Sequence, residues 1–191
     1  MNGFPPITNW HIVISGYLQD RAQRTGMAHL GRSLMLKFSG RDDTRVSTLA
    51  WDDNMASMAE MVWRDSTRDD QTHICVYGYS WGGQSAIHLC RALQNRGLVV
   101  SHLVLCDPVY RHRYWLGQWR TLFQLVPIVI PENVREVDWV RQRVTWPSGH
   151  NLSAENADKT NIAEPIWLEV GHRWIDDHPR FQKLAMDAAD A

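Results

Sequence analysis

A serine flanked by glycines carries the clearest chemical signal in this sequence. The segment Gly78–Gly82 has the sequence Gly-Tyr-Ser-Trp-Gly; an uncharged β-branched and aromatic run precedes it, and a helix-forming stretch ending at Gly97 follows it. A serine on a tight turn between a strand and a helix has a strained backbone, and its hydroxyl stands clear of the sheet. We therefore predict that Ser80 is a nucleophile. The alternative is a glycine-rich turn that only joins a strand to a helix, and the flanking sequence favours the nucleophile.

A serine nucleophile needs a general base and an acceptor that orients this base. Open parallel sheets bind their ligands beyond the carboxyl ends of the strands, so both partners are expected directly after strands. Asp107 follows a predicted strand at residues 101–106, and His172 follows a predicted strand at 165–170 after one glycine. We predict that His172 is the base and that Asp107 is the acid.

Both assignments have alternatives. Asp107 also suits a turn at the end of a strand, in which case Asp138, inside the strand-like run 133–144, is the reserve acid. The alternative base is His150, which lies in the polar segment 147–164 without a predicted strand before it. The position directly after a strand favours the first choice in each case.

Three polar residues near the C-terminus are predicted to be structural. His178 lies at the start of the last predicted helix, and Asp176 and Asp177 are predicted to be an N-cap pair for that helix. No cluster of His, Asp and Cys with the spacing of metal ligands accompanies them. We expect neither a metal nor another cofactor.

The tetrahedral intermediate of acyl transfer needs donors for its negative charge. At a nucleophile elbow, one donor is the backbone N–H of the next residue, here Trp81, and the second comes from the loop after the first strand. That loop is Gly16–Leu18, and we select Tyr17 within it as the second member of the oxyanion hole.

Residues 109–131 form an unusually long connection that is too aromatic for a disordered segment. Because the connection follows Asp107 directly, we expect it to form a lid or a wall of the substrate pocket. The alternative is an ordinary packed excursion. The predicted substrate-binding residues are Tyr110, Trp115, Trp119 and Phe123.

Strand and helix signals alternate along the chain, which predicts an α/β fold with a mostly parallel sheet and helices on both faces. The segment 147–164 is predicted to be an exposed loop. The length of 191 residues suits a single domain over residues 1–191. The predicted strands lie at 11–15, 45–51, 73–77, 101–106, 133–144 and 165–170.

Composition restricts the partners. The chain has 20 Lys and Arg against 21 Asp and Glu, so its formal charge of -1 favours neither nucleic acid nor an anionic membrane, and a small-molecule partner is expected. The three cysteines occupy apolar positions and are predicted to be buried free thiols. Because the N-terminus shows no signal peptide and no segment is long enough for a transmembrane helix, we predict a cytoplasmic protein, with export by another route left open.

The chain resembles the α/β-hydrolase superfamily, in a minimal form that lacks the leading hairpin. Three segments carry the resemblance: Gly78–Gly82, Leu105–Val109 with the sequence Leu-Cys-Asp-Pro-Val, and Gly171–Pro179. The last is similar to the His-x-x-Ile-Asp-Asp-x-Pro ending of compact bacterial and phage hydrolases. The resemblance covers most of residues 10–190.

The order of the candidate residues along the chain, Ser80 then Asp107 then His172, is the order that this superfamily uses. One feature departs from the superfamily, in which the acid most often follows a later strand than the one after the elbow helix. This departure keeps Asp138 in consideration.

The resemblance implies a serine esterase, similar to lipases, that cleaves a carboxylic ester through a catalytic triad and an acyl-serine intermediate. A thioesterase, an amidase or an acyltransferase would use the same triad. Two further alternatives are a non-catalytic binding module that retains the elbow and a phage-type esterase acting on peptidoglycan or envelope lipid. Only the C-terminal segment suggests the phage-type esterase.

Overall fold

The computed structural model describes residues 6–17, 19, 24–67, 72–110 and 126–191 of the protein. Strands and helices alternate through most of this part. The strands are β1 (Asn9–Ile14), β2 (Thr44–Leu49), β3 (His73–Tyr79), β4 (Val100–Cys106), β5 (Ile128–Ile130), β6 (Val134–Arg141), β7 (Leu152–Ala154), β8 (Asn161–Ile162) and β9 (Ile166–Trp167). The helices are α1 (Gly26–Lys37), α2 (Met55–Asp65), α3 (Trp81–Gln94), a 3₁₀ helix (His172–Asp177) and α4 (Pro179–Ala188).

Seven of the described strands form one central sheet in the order β2-β1-β3-β4-β6-β8, with β9 also pairing with β6. All of their pairings are parallel. β5 and β7 form a separate parallel pair. The predicted parallel sheet is therefore confirmed. Its carboxyl ends, where β3 meets Ser80 and β4 meets Asp107, lie along one edge.

Helices cover both faces of the central sheet because β1, β3 and β4 are apolar on both faces. On one face, α2 and α3 pack their apolar stripes against the sheet, with Val62 and Leu89 fully buried. On the other face, α1 and α4 contribute fully buried Leu30 and Phe181. The two layers fix the sheet from both sides, so the loops at its carboxyl edge start from a rigid base.

Two predictions about short elements were wrong. The predicted strand at 165–170 is reduced to β9, and the segment 147–164 contains β7 and β8 rather than only loop. Strands of two or three residues carry no periodicity that a sequence pattern can show. Their strand conformation comes from pairing with longer-range neighbours: β7 pairs with β5, and β8 and β9 pair with β6.

The prediction that Asp176 and Asp177 form an N-cap pair for the last helix was also wrong, since the N-cap residue of that helix is His178. His178 caps α4, since its Nδ1 accepts from the backbone N–H of Arg180 at 3.2 Å, and its structural role is confirmed. Asp176 is buried instead and accepts from the backbone N–H of Met27 at 3.2 Å, at the start of α1. A capping contact between residues so distant in the chain has no local sequence signature.

The cysteine prediction is confirmed, because Cys75, Cys90 and Cys106 are buried and free. Among the helices that the structure describes, none has both the length and the apolarity that crossing a bilayer requires.

Candidate active site

Ser80 occupies a sharp turn between β3 and α3. Its backbone has φ 54° and ψ -123°, a conformation that non-glycine residues rarely adopt and that concentrates at functional sites. A Cβ at Gly78 would lie 2.9 Å from the carbonyl oxygen of Gly82, and a Cβ at Gly82 would lie 2.5 Å from the carbonyl oxygen of Ser15. The turn therefore closes only with glycine at both positions, as the motif predicts.

The strained turn is held by the backbone on either side of it. The N–H of Ser80 donates to the carbonyl of Cys106 at 3.0 Å, and the carbonyl of Ser80 accepts from the N–H of Val109 at 2.9 Å and from that of Gly83 at 3.0 Å. These bonds connect Ser80 to the end of β4 and to the residues that follow it. The position of the hydroxyl is consequently fixed by the neighbouring strand.

His172 joins Ser80 to Asp107. Its Nε2 lies 2.8 Å from Ser80 Oγ, and its Nδ1 lies 2.6 Å from Asp107 Oδ2. A carboxylate oxygen can only accept, so Nδ1 carries the proton, and Nε2 is left to accept from the serine hydroxyl. The structure thus brings together the three predicted residues in one hydrogen-bonded chain.

The backbone of His172 is anchored at both of its polar groups. Its N–H donates to Thr145 Oγ1 at 2.8 Å, and its carbonyl accepts from the hydroxyl of Tyr79 at 2.7 Å. Burial raises the pKa of Tyr79 well above its ordinary value, so this hydroxyl keeps its proton and remains a donor. The backbone of His172 is therefore fixed by contacts that do not involve Ser80 or Asp107, and its imidazole is oriented by the bond to Asp107.

Asp107 is fully buried and would be costly as an unpaired charge. Besides His172, its carboxylate accepts from the N–H of Gly149 at 2.7 Å, from the N–H of Gln142 at 3.3 Å and from Gln142 Nε2 at 2.9 Å. A Cβ at Gly149 would lie 2.6 Å from Asp107 Oδ1, so glycine is required for this approach. The buried carboxylate thus has hydrogen-bond donors at both of its oxygens.

Gln142 is a site residue that the sequence prediction missed. It directly follows β6, at the same edge of the sheet as Asp107. Its Oε1 accepts from the backbone N–H groups of Val144 at 2.7 Å and Thr145 at 2.9 Å, which fixes the orientation of the amide toward Asp107. Its position directly after a strand is the sequence signal for it, but a glutamine neither titrates nor acts as a nucleophile.

Arg141 supports the same region from the end of β6. Its guanidinium is largely buried and donates to the carbonyl of Gly149 and to Asn151 Oδ1. These bonds hold the segment whose N–H contacts Asp107.

The two alternative residues lie outside the chain of hydrogen bonds. Asp138 sits within β6 and bonds to His102 Nε2 at 2.8 Å. His150 is fully buried, and its Nδ1 accepts from the backbone N–H of Tyr110 at 3.2 Å. Burial, together with the nearby charge of Arg141, lowers the pKa of His150 to about 4. Neither residue bonds to His172 or Ser80.

The predicted oxyanion residues lie on the opposite side of Ser80 from Asp107. Trp81 is the first residue of α3, where backbone N–H groups have no partner within the helix. The N–H of the neighbouring Gly16 donates to Gln19 Oε1 at 3.1 Å, so that amide is already engaged. Tyr17 follows it, and its ring centroid lies 4.6 Å from that of Trp81. The donor roles of Tyr17 and Trp81 stay predictions.

A second hydrogen-bonded connection links the two sides of the site. Gln19, whose Oε1 accepts from Gly16, donates from Nε2 to Asp176 Oδ2 at 2.9 Å. Asp176 belongs to the 3₁₀ helix that begins at His172. Burial raises the pKa of Asp176, and the bonds from Gln19 and Met27 oppose that effect. The sequence prediction did not assign Gln19 to the site.

Of the predicted substrate-binding residues, Tyr110 is described and the others are not. Tyr110 is partly buried and packs against the core. Trp115, Trp119 and Phe123, with most of the predicted insertion 109–131, lie outside the described residues. Their role remains a prediction.

Within the part of the chain that the structure describes, no three metal-ligating side chains come together. The chain matches no protein-family model and no curated protein, so the interpretation of this site rests on its own geometry.

Proposed function

We propose that the protein is a serine hydrolase of the α/β-hydrolase fold that cleaves carboxylic esters. The observation that carries this proposal is the hydrogen-bonded chain from Ser80 Oγ through His172 to Asp107 Oδ2, with distances of 2.8 and 2.6 Å. In this arrangement a weak nucleophile is paired with a base, and the base is oriented by a carboxylate. The positive φ of Ser80 and the parallel sheet beneath it support the same assignment.

The first half of the reaction forms the acyl-serine. As Ser80 Oγ attacks the ester carbonyl, its proton moves to His172 Nε2, and the buried Asp107 carboxylate stabilises the resulting imidazolium. The backbone N–H groups of Trp81 and Tyr17 stabilise the oxyanion. When the tetrahedral intermediate collapses, His172 returns the proton to the leaving alcohol.

The second half restores the enzyme. A water molecule donates its proton to His172 Nε2 and attacks the acyl carbonyl, and collapse of the second tetrahedral intermediate returns the proton to Ser80 Oγ and releases the carboxylic acid. All proton transfers in both halves take place between the substrate, water, Ser80 and His172. The proposed substrate is a small-molecule ester.

Covalent labelling tests the proposal directly. A fluorophosphonate probe reacts with an activated serine, so the wild-type protein should be labelled and Ser80→Ala should not. Hydrolysis of 4-nitrophenyl acetate measured in parallel should show the same difference. A folded wild-type protein that neither labels nor hydrolyses the ester would instead indicate a non-catalytic binding module.

A further inference from the structure

Three aromatic side chains form a cluster beside Ser80. Tyr17 follows β1, Trp51 follows β2 and Trp81 follows Ser80 at the end of β3. Their ring centroids are separated by 4.6 Å for Tyr17 and Trp81, 5.2 Å for Trp51 and Trp81, and 5.5 Å for Tyr17 and Trp51. Each ring contacts both of the others, so the three residues, named here the aromatic cluster, form one continuous surface.

The aromatic cluster lies on the side of Ser80 that the acid and base do not occupy. β1 and β2 lie on one side of β3, whereas β4 and β6, which carry Asp107 and Gln142 at their ends, lie on the other. A Cβ at Gly16 would lie 3.1 Å from the Cβ of Ser80, so the loop bearing Tyr17 packs directly against the nucleophile. A molecule bonded to Ser80 therefore has the aromatic cluster beside it.

The side chains of the aromatic cluster are partly exposed, and the backbone of one of them is held by a hydrogen bond. Tyr17 is 51% exposed, and Trp51 and Trp81 are each partly exposed. Ser85, which is fully buried in α3, donates to the carbonyl of Trp51 at 2.5 Å and holds that residue against the helix. Partly exposed aromatic rings offer apolar contact area to a ligand ring, in the offset-stacked or edge-to-face arrangements that aromatic pairs prefer.

We propose that the aromatic cluster binds an aromatic ring carried by the ester substrate, and that the protein is selective for ring-bearing esters. This inference rests on the proposed function and specifies its substrate class. The aromatic cluster contacts the ring both in the bound substrate and in the transition state. Because kcat/KM compares the transition state with the free protein and the free substrate, selectivity for the ring appears in kcat/KM.

The test compares two pairs of esters. The first pair, 4-nitrophenyl 3-phenylpropionate and 4-nitrophenyl propionate, differs by a ring on the acyl side. The second pair, benzyl acetate and methyl acetate, differs by a ring on the alcohol side. For each pair, we take the ratio of the two kcat/KM values. A substitution that disturbs the oxyanion donors lowers both values alike, so it leaves this ratio unchanged. In at least one pair, wild-type protein should favour the member with the additional ring.

Trp51→Ala should lower that ratio by about threefold to tenfold, which is the range that an aromatic contact is worth in rate. Tyr17→Leu, at a half-exposed position, serves as a second variant if Trp51→Ala does not fold. Leu36→Ala removes a largely exposed apolar side chain from α1 and should leave the ratio unchanged. Ratios unchanged within twofold in both pairs, for a folded variant, would overturn the inference.

A small fluorophosphonate without a ring separates this inference from the proposed function. If it labels Ser80 in the wild-type protein while the ratios do not respond to Trp51→Ala, the aromatic cluster is not the ring site and the hydrolase proposal stands. If folded wild-type protein is not labelled, the proposed function fails and the inference fails with it.

Discussion

The side chain of Gln142 donates to the carboxylate of Asp107 at 2.9 Å while its own amide oxygen is held by two backbone N–H groups. A neutral amide thus sets the position of the buried acid. Because the amide is oriented by the backbone, it presents a donor to Asp107 and does not rotate to present an oxygen. The acid in turn is held where His172 Nδ1 reaches it.

Replacing this amide by a carboxylate tests the arrangement. Gln142→Glu would place two carboxyl groups together in a buried site, which raises the pKa of the pair and leaves one of them protonated. We expect kcat for an activated ester to fall at least tenfold near pH 7 and to recover partly as the pH rises. Gln94→Glu, at the end of α3, should show neither effect. An unchanged pH profile in folded Gln142→Glu would contradict a positioning role.

Removal of the nucleophile should separate activity from stability. Ser80→Ala deletes one hydroxyl oxygen at a turn that is held by backbone bonds, so the melting temperature should change little. Hydrolysis of 4-nitrophenyl acetate should fall by about a thousandfold or more. Turnover close to that of the wild type would assign the chemistry to another residue.

The acid is tested by a matched pair of substitutions. Asp107→Asn should reduce kcat by up to about ten-thousandfold, because an amide donor facing Nδ1 stabilises the wrong tautomer of His172. Asp138→Asn should affect kcat little, since Asp138 bonds to His102 within the sheet. Thermal unfolding of both variants shows whether the protein still folds. High activity in Asp107→Asn with loss in Asp138→Asn would move the acid to β6.

Stability should decrease in acid because two histidines are buried in their neutral forms. Burial lowers the pKa of His11 and of His150 to about 4 from the ordinary 6.5. The folded state therefore binds fewer protons than the unfolded state between these values, so the free energy of unfolding is highest above pH 6.5 and falls as the pH drops toward 4. Each group contributes roughly 2 to 3 kcal/mol to this loss.

Urea unfolding at pH 7 and pH 4.5 measures this change. In His11→Phe, the free energy of unfolding should differ less between pH 7 and pH 4.5 than it does in the wild type, by the contribution of one histidine. Loss of the bond to the Tyr77 hydroxyl lowers the free energy of unfolding at both pH values. His29→Gln, at an exposed position of α1, should keep the wild-type difference. Equal pH dependence in wild type and His11→Phe would show that His11 is not responsible.

Ser80 and Asp107 could be selected from the sequence because each combines a reactive side chain with a position directly after a strand. His172 was selected after a predicted strand of which the structure retains Ile166–Trp167, and the structure still brings it between the other two residues. The parallel sheet was predictable for a related reason, since strands buried on both faces are uncharged and separated by helices. Gln142 was missed because a glutamine neither titrates nor attacks, although it also follows a strand. Gln142 contacts Asp107 because the strands that precede the two residues, β6 and β4, are neighbours in the sheet. The order of strands in the sheet is not apparent from the sequence.

Contacts between distant parts of the chain were not predictable. Asp176 looked like a local helix cap, whereas it contacts Met27 and Gln19. The strands β7, β8 and β9 are too short to have a pattern of their own. In each case the partner, rather than the local sequence, determines the structure.

The bonds from Gly16 to Gln19 and from Gln19 to Asp176 join segments that are 157 residues apart in the chain. They connect the loop beside the nucleophile to the helix that bears His172. The entropy needed to align these two segments is therefore lost when the protein folds and not when a substrate arrives. For the proposed ester hydrolysis, we therefore expect little reorganisation of these two segments between the free protein and the transition state.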